Sequence, residues 1–225
     1  MEIKKTYKIE PRSNLEGADL RGTDFRKVND IELTGTNFRG ANLEGANFEK
    51  KNFTKNFWGA NLNGANFSFA NLEPTDCKDP DVSYNNTKFR NASIEEANFR
   101  GANLYGADFF AANLRGANFY KANLTKTHFY DANLRDANLR NANLKYALFL
   151  GTNLDGADLR GANLDGAEFQ WARLVNTDLR GAKNIREADL DKIYVQSPDG
   201  NNYQWSAGHL KQIDHHHRPH CHNRP

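Results

Sequence analysis

Residues 97–121 read Ala-Asn-Phe-Arg-Gly, Ala-Asn-Leu-Tyr-Gly, Ala-Asp-Phe-Phe-Ala, Ala-Asn-Leu-Arg-Gly, Ala-Asn-Phe-Tyr-Lys, and this stretch decides the fold. Its apolar centre recurs every five residues, and does so from Phe89 to Leu179 without a slip. That period is neither the 3.6 of an α-helix nor the 2 of a long strand. Asn, Asp and Gly are also poor helix-interior residues. Within each unit the Ala and the Leu or Phe lie two apart, so both point to one side of a very short strand. The Asn or Asp between them points the other way. The last two residues, often ending in Gly, turn the chain through a corner. A chain that turns after every five residues closes a polygon and stacks on itself.

The spacing of like residues gives the number of sides. At intervals of 20, Phe89, Phe109, Phe129, Phe149 and Phe169 form a column of phenylalanines. Ile94, Leu114, Leu134, Leu154 and Leu174 form an aliphatic one, as do Leu104, Leu124, Leu144 and Leu164. An interval of 15 mixes the two kinds: Phe89, Leu104, Phe119, Leu134. Like stacks on like only with four sides per coil.

The pattern continues upstream in broken frames. Leu15, Leu20 and Phe25 make one run, and Leu33, Phe38, Leu43, Phe48 and Phe53 another. Phe57, Leu62, Phe67 and Leu72 follow after a one-residue slip, then weaker matches at Cys77 and Val82. The slips near Phe25, Phe53 and Val82 predict bulged corners or small loops, with Pro74 and Pro80 flanking the least regular part. The expected fold is all-β: roughly eight four-sided coils, about 40 Å long at about 4.8 Å per layer.

The A(D/N)LxG units carried by these residues resemble the pentapeptide-repeat family over about Asn14 to Leu190. The resemblance implies a right-handed quadrilateral β-helix with Ala and Leu or Phe inward. It implies little about activity, since most members have none assigned. The best-understood members resemble DNA in shape and charge, dimerise through a C-terminal helix, and bind or protect DNA gyrase. Others resemble regulatory scaffolds, especially in cyanobacteria, and a cyanobacterial source is the guess that follows.

A solenoid with a narrow apolar interior tolerates a hydrophobic share of 38% and a mean hydropathy of −0.82, because most side chains stay outside. The net charge of +2 points neither to a nucleic-acid binder nor to an acidic mimic of one. No apolar run is long enough for a bilayer, so no membrane partner is expected. The first ten residues lack the pattern of a signal peptide. Cys77 and Cys221 lie far apart in unlike contexts, which gives no disulfide framework. A cytoplasmic protein is the expectation.

The open ends of a solenoid need covers. Residues 1–13 are expected to supply the N-terminal one, Thr6 to Glu10 lying over the first coil, with the solenoid spanning 14–190. In residues 191–213, Ile193 to Val195, the turn at Pro198 to Gly200 and Tyr203 to Trp205 read as a hairpin whose Tyr203 and Trp205 plug the last coil. Ser206 to Ile213 is expected to add a turn of helix, too short and polar for the dimerising helix of gyrase-binding relatives. Residues 214–225 read as a disordered tail.

Outward positions also form columns. Phe110, Tyr130 and Leu150 follow the Phe column, joined by Trp171 and by Leu148, which fills a slot that is Asn or Asp in most units. An apolar patch on so polar a chain marks a contact site, covered by a loop, by the tail, by a second copy or by a foreign protein. Arg100, Tyr120, Arg140, Arg160 and Arg180 form a basic column with Lys121 beside it. Stacked like charges repel, and Asp158 and Asp178 are placed to relieve Arg160 and Arg180. Such a column reads as a solvated face or as a strip for an acidic partner or a phosphate backbone. Columns of Asn (Asn98, Asn118, Asn138; Asn103, Asn123, Asn143, Asn163) read as side-chain ladders rather than a phosphate mimic, which sets the gyrase reading below that of a scaffold.

No P-loop, G-x-G-x-x-G, G-x-S-x-G or H-E-x-x-H occurs, so no enzyme or resident cofactor is expected. His128 occupies an outward slot with no evident catalytic partner, and Cys77 reads as a buried apolar centre. The tail holds His215, His216, His217, His220, Cys221 and His222, ligands that suit Zn²⁺, Ni²⁺ or copper. Without the fixed spacing of a structural site, such a tract binds divalent metal loosely and adventitiously. The leading expectation is a rigid scaffold for an unidentified protein partner, with self-association as an alternative and nucleic acid disfavoured.

Overall fold

The computed structural model describes residues 9–10, 12–29, 36–52, 56–72 and 87–184, and the backbone of three short strands beyond them. The chain from Asn14 to Lys183 winds as a solenoid whose coils have four sides. Each side meets the same side of the next coil through one parallel bridge. The first side carries the bridged series Asn14, Asn37, Asn56, Lys88, Asp108, His128, Leu148 and Glu168, which gives eight layers among the described residues. The second and third sides also have eight layers, starting at Asp19 and Asp24, and the fourth has seven, starting at Asn52.

One unit shows how five residues make a side and a corner. Leu114 N–H donates to the Asn133 carbonyl at 2.8 Å, and Asn133 N–H returns a bond to the Ala112 carbonyl at 2.9 Å. Gly116 N–H donates to the Arg135 carbonyl at 2.9 Å, while Ala117 N–H closes the corner on the Leu114 carbonyl at 3.0 Å. The corner therefore places its third residue, Gly116, at φ +69°, as a type II turn requires. Where that slot is not Gly, the residue still takes the left-handed conformation, as Phe69, Ala111, Tyr146 and Trp171 do.

Ala and the Leu or Phe centres fill the interior, nearly all of them fully buried. The phenylalanines form two stacks. Phe38, Phe57, Phe89, Phe109, Phe129, Phe149 and Phe169 rise along the first side with centroids 4.6 to 5.4 Å apart. Phe25, Phe48, Phe67, Phe99 and Phe119 do the same along the third side, at 4.2 to 5.0 Å. Across the core the two stacks meet edge to face, as Phe89 meets Phe99 at 5.8 Å and 85°. Such pairs add about 0.5–1.5 kcal/mol each beyond area burial. Threonine replaces the inward Ala at several corners and remains satisfied: the Thr127 hydroxyl donates to the Leu104 carbonyl at 3.0 Å and that of Thr87 to the Leu72 carbonyl at 3.1 Å.

The frame slips of the sequence are accommodated between bridges. The interval between layers is 23 residues from Asn14 to Asn37, 19 to Asn56, 32 to Lys88, and 20 thereafter. At the first slip Phe25–Lys27 forms one turn of 3-10 helix, its start capped by the Asp24 side chain accepting from Arg26 N–H. The coil ending at Leu72 bonds directly to the coil beginning at Phe89, so no further layer comes between them. Leu33, Phe53, Cys77 and Val82, expected as inward centres, lie outside the described residues.

At the N-terminus Ile9 packs against the core, while Thr6 to Lys8 lie outside the described residues. Beyond the solenoid, β1 (Tyr194–Gln196) pairs antiparallel with β2 (Asn202–Ser206), as the strand-turn-strand pattern implies. The expected turn of helix over Ser206 to Ile213 is corrected: His209–Ile213 is a third strand, β3, with Ser206 opposite His209. The physical reason is that an eight-residue polar helix bears its nucleation cost with few bonds, whereas a strand folding back on β2 pairs residue by residue. The side chains of Tyr203 and Trp205 lie outside the described residues, as does the tail.

Candidate functional site

The corners fix where each outward side chain goes, and two opposite sides of the coil carry the candidate surfaces. On the first side, the residue after each Phe gives the column Arg39, Trp58, Arg90, Phe110, Tyr130, Leu150, Gln170. Backbone bonds tie these rungs together: Ala111 N–H donates to the Tyr130 carbonyl and Asp131 N–H to the Leu150 carbonyl. Phe110, Tyr130 and Leu150 therefore lie on three consecutive coils as one apolar strip. Leu148 sits half-buried beside it in the bridge position between His128 and Glu168. Leu150 is 38% exposed and Trp171, at the corner of the next coil, 46%.

Polar neighbours hold this strip in place. The Arg90 guanidinium lies over the Phe110 ring at 5.1 Å and is paired with Asp108. The His128 ring stacks on Tyr130 at 5.8 Å. Burial, and after it the charge of Glu168, raises the Tyr130 pKa above the usual phenol value, so its hydroxyl stays protonated and able to donate.

On the third side, Arg100, Tyr120, Arg140, Arg160 and Arg180 form the basic column, and the structure divides it. Asp158 and Asp178 each accept from the Nε of the arginine two residues on, at 2.8 and 2.9 Å. Asp158 also lies 3.8 Å from Arg140 Nε, and Asp178 lies 3.4 Å from Arg160 Nε. These bonds depress both carboxyls: Asp178 falls to about 2, chiefly through the hydrogen bond from Arg180, and Asp158 is lowered chiefly by Arg160. The lower column is thus neutralised from within. In the upper column Asn98, Asn118 and Asn138 replace the aspartates, and Arg100 and Lys121 instead lie over the Tyr120 ring, each at 5.3 Å.

The asparagine columns are ladders. Asn118 Nδ2 donates to Asn98 Oδ1 at 3.2 Å, its own Oδ1 accepts from Asn138 Nδ2 at 3.1 Å, and the same oxygen takes the corner N–H of Tyr120 at 3.1 Å. An aspartate there lacks the donor, and each Asp in these columns that takes an arginine takes it in place of the ladder.

The repeat is also what known proteins share with the chain. Family models for pentapeptide repeats match residues 12–29, 30–55 and 55–76, and a pentapeptide repeat region matches 75–159 and 102–179. The chain belongs to the pentapeptide-repeat family. Among solved pentapeptide-repeat and related structures, a trypsin-treated form of QnrB1, a plasmid-mediated fluoroquinolone resistance protein, is 20% identical, over 80% of this chain and 91% of that one, at a TM-score of 0.45. HetL, a pentapeptide repeat protein involved in heterocyst differentiation regulation from the cyanobacterium Nostoc sp. strain PCC 7120, is 24% identical over 84% and 91%, at 0.29. Rfr23 from the cyanobacterium Cyanothece 51142 is 31% identical over 59% and 89%, at 0.26. No curated protein matches the chain.

Against this pentapeptide-repeat frame, the residues read from the sequence fall into two groups. Phe110, Tyr130, Leu148 and Leu150 come together on the first side, with Trp171 at the following corner. Arg100 lies on the unneutralised part of the third side, Arg140 at its boundary, 3.8 Å from Asp158, and Arg160 and Arg180 on the neutralised part. Three exposed aromatics escaped the sequence reading: Trp58 in the Phe110 column, under Arg39 at 5.7 Å, Tyr146 at the corner leading to Leu148, and Phe69 at a corner of the third side. Counting columns across the slips, from Phe57 to Phe89, would have found Trp58. The ligands His215, His216, His217, His220, Cys221 and His222 lie outside the described residues. Among the described residues no group of three or more His, Cys, Asp or Glu could hold a metal ion, and no helix is long and apolar enough to cross a membrane.

Proposed function

We propose that this pentapeptide-repeat chain is a rigid, non-catalytic scaffold that docks a partner protein on the apolar strip of its first side. The observation that carries the reading is the continuity of Phe110, Tyr130 and Leu150 over three coils, widened by Leu148 in a slot that most units fill with Asn or Asp. A ladder residue there would hydrogen-bond along the column; a leucine offers only apolar contact. The bonded rungs fix the strip's shape before binding, which spares a partner the entropy of ordering it. The reading includes the right-handed winding of a quadrilateral β-helix, work without a cofactor, and a cytoplasmic setting.

Its test is the double variant Tyr130→Glu/Leu150→Glu. Wild type and variant are compared by affinity capture and by sedimentation, at matched thermal midpoints. Loss of a captured protein from a folded variant supports docking; loss of self-association assigns the strip to a second copy. Unchanged capture and unchanged oligomeric state contradict the proposal. A gyrase-directed mimic of DNA has less support, because carboxylate columns would be required and the third side instead carries eight Lys or Arg against four Asp or Glu among its described residues.

A further inference from the structure

The third side provides a second surface, independent of the apolar strip. Charge is sorted around this coil: the second side reverses the ratio, with four Lys or Arg against six Asp or Glu among its described residues. The excess on the third side is concentrated where its ladder is asparagine. Lower in the same column the protein shows how these arginines take a carboxylate. Asp158 is held by Arg160 and approached by Arg140 from the coil before, and Asp178 repeats the arrangement between Arg180 and Arg160. Upward, the neutral side chains of Asn98, Asn118 and Asn138 supply no such charge. Arg100 and Lys121 have no carboxylate within 4.0 Å among the described residues and rest against Tyr120. Phe69, at the corner before Gly101, is 54% exposed, and its ring covers that glycine so closely that a Cβ there would lie 2.7 Å from it. Cations and aromatic rings thus alternate over consecutive coils.

We infer that Arg100, Lys121 and Arg140, with Tyr120 and Phe69, form a binding surface for an acidic segment of a partner protein. The partner's carboxylates take, between successive coils, the role that Asp158 and Asp178 play within the chain. The rings accept the apolar parts of the same segment. The geometry favours carboxylates because the column already binds them one coil away, and bidentate arginine recognition suits that group.

The test uses fluorescein-labelled decaglutamate in an anisotropy titration at low salt, with labelled decathymidylate as the phosphate counterpart. The wild-type chain is expected to bind decaglutamate saturably, more weakly as salt rises. Arg100→Gln/Lys121→Gln should weaken that binding at least tenfold, and Arg135→Gln on the second side should change it less than about twofold. Asp158→Asn/Asp178→Asn releases Arg140, Arg160 and Arg180 from their carboxylates and should tighten it at least threefold. Four results overturn the inference: no saturable binding, equal weakening by Arg135→Gln, no tightening on freeing the arginines, or decathymidylate bound as tightly as decaglutamate, which assigns the surface to phosphate. Each variant's thermal midpoint is recorded on the same sample, and the Asp-to-Asn pair, which extends the asparagine ladder, keeps the test valid should the Arg100/Lys121 variant unfold.

Discussion

The first and third sides of the rod face each other across one core and are built alike on the inside. Both stack phenylalanines coil upon coil, and the two stacks interlock edge to face. Outside they diverge: the first side carries Phe110, Tyr130 and Leu150 where the third carries Arg100, Tyr120 and Arg140. The inward slots and the corner geometry therefore set the fold, and the outward slots are free to differ. A function carried by those slots can change without disturbing the coil beneath it.

That separation has measurable consequences, the largest inside. Phe109→Ala and Phe99→Ala remove interior rings from the two stacks, and each should cost about 3–5 kcal/mol in denaturant unfolding. A small effect on one side alone would break the equivalence. Next come the ladders. Asn118→Ala loses three hydrogen bonds and should cost about 2 kcal/mol, at about 1 kcal/mol or less per bond. On the first side His128→Ala, in the same slot with no ladder, should stay within about 0.5 kcal/mol.

The corners give a smaller contrast of opposite sign. Ala111 of the first side holds φ +52°, so Ala111→Gly should stabilise by up to about 1 kcal/mol. Gly101→Ala, the same slot on the third side, adds that strain and drives a methyl into the Phe69 ring, so it should destabilise by about 1–2 kcal/mol. Thermal unfolding of both variants checks the pair.

The last contrast is with pH. Asp24 and Asp178 of the third side both titrate near 2, held down chiefly by hydrogen bonds from Arg26 and Arg180. A depressed carboxyl contributes stability that is present above its unfolded value near 4 and is lost as pH falls toward 2. Both groups are half-exposed, so solvent screens them and the effect should be modest: the midpoint should fall between about pH 4 and 2, and Asp24→Asn/Asp178→Asn should flatten that slope. An equal slope in the variant would remove these pairs from the account.

What the sequence could and could not reveal follows the same division. The five-residue period, the four sides and the two kinds of inward column are written in identical slots, and so could be read directly from Phe89 to Leu179. The structure repeats them as bridged layers. The upstream columns were harder, because the 23-, 19- and 32-residue intervals hide which residues stack, and Trp58 was missed for that reason. The end of the basic column was legible through Asp158 and Asp178, but its division was not: that depends on where each guanidinium points. Beyond Leu190 the repeat gives no guide, and backbone pairing made β3 where local pattern implied a helix.

The most direct test of the central claim is one paired experiment on Tyr130→Glu/Leu150→Glu: thermal midpoint and partner capture, measured on the same preparation. The account predicts a midpoint within about 2 °C of wild type, since surface changes cost about 0.5 kcal/mol or less, together with loss of the captured protein or of self-association. A variant that unfolds would make the strip part of the core, and a folded variant that binds and assembles as before would show that the first side is not a docking surface.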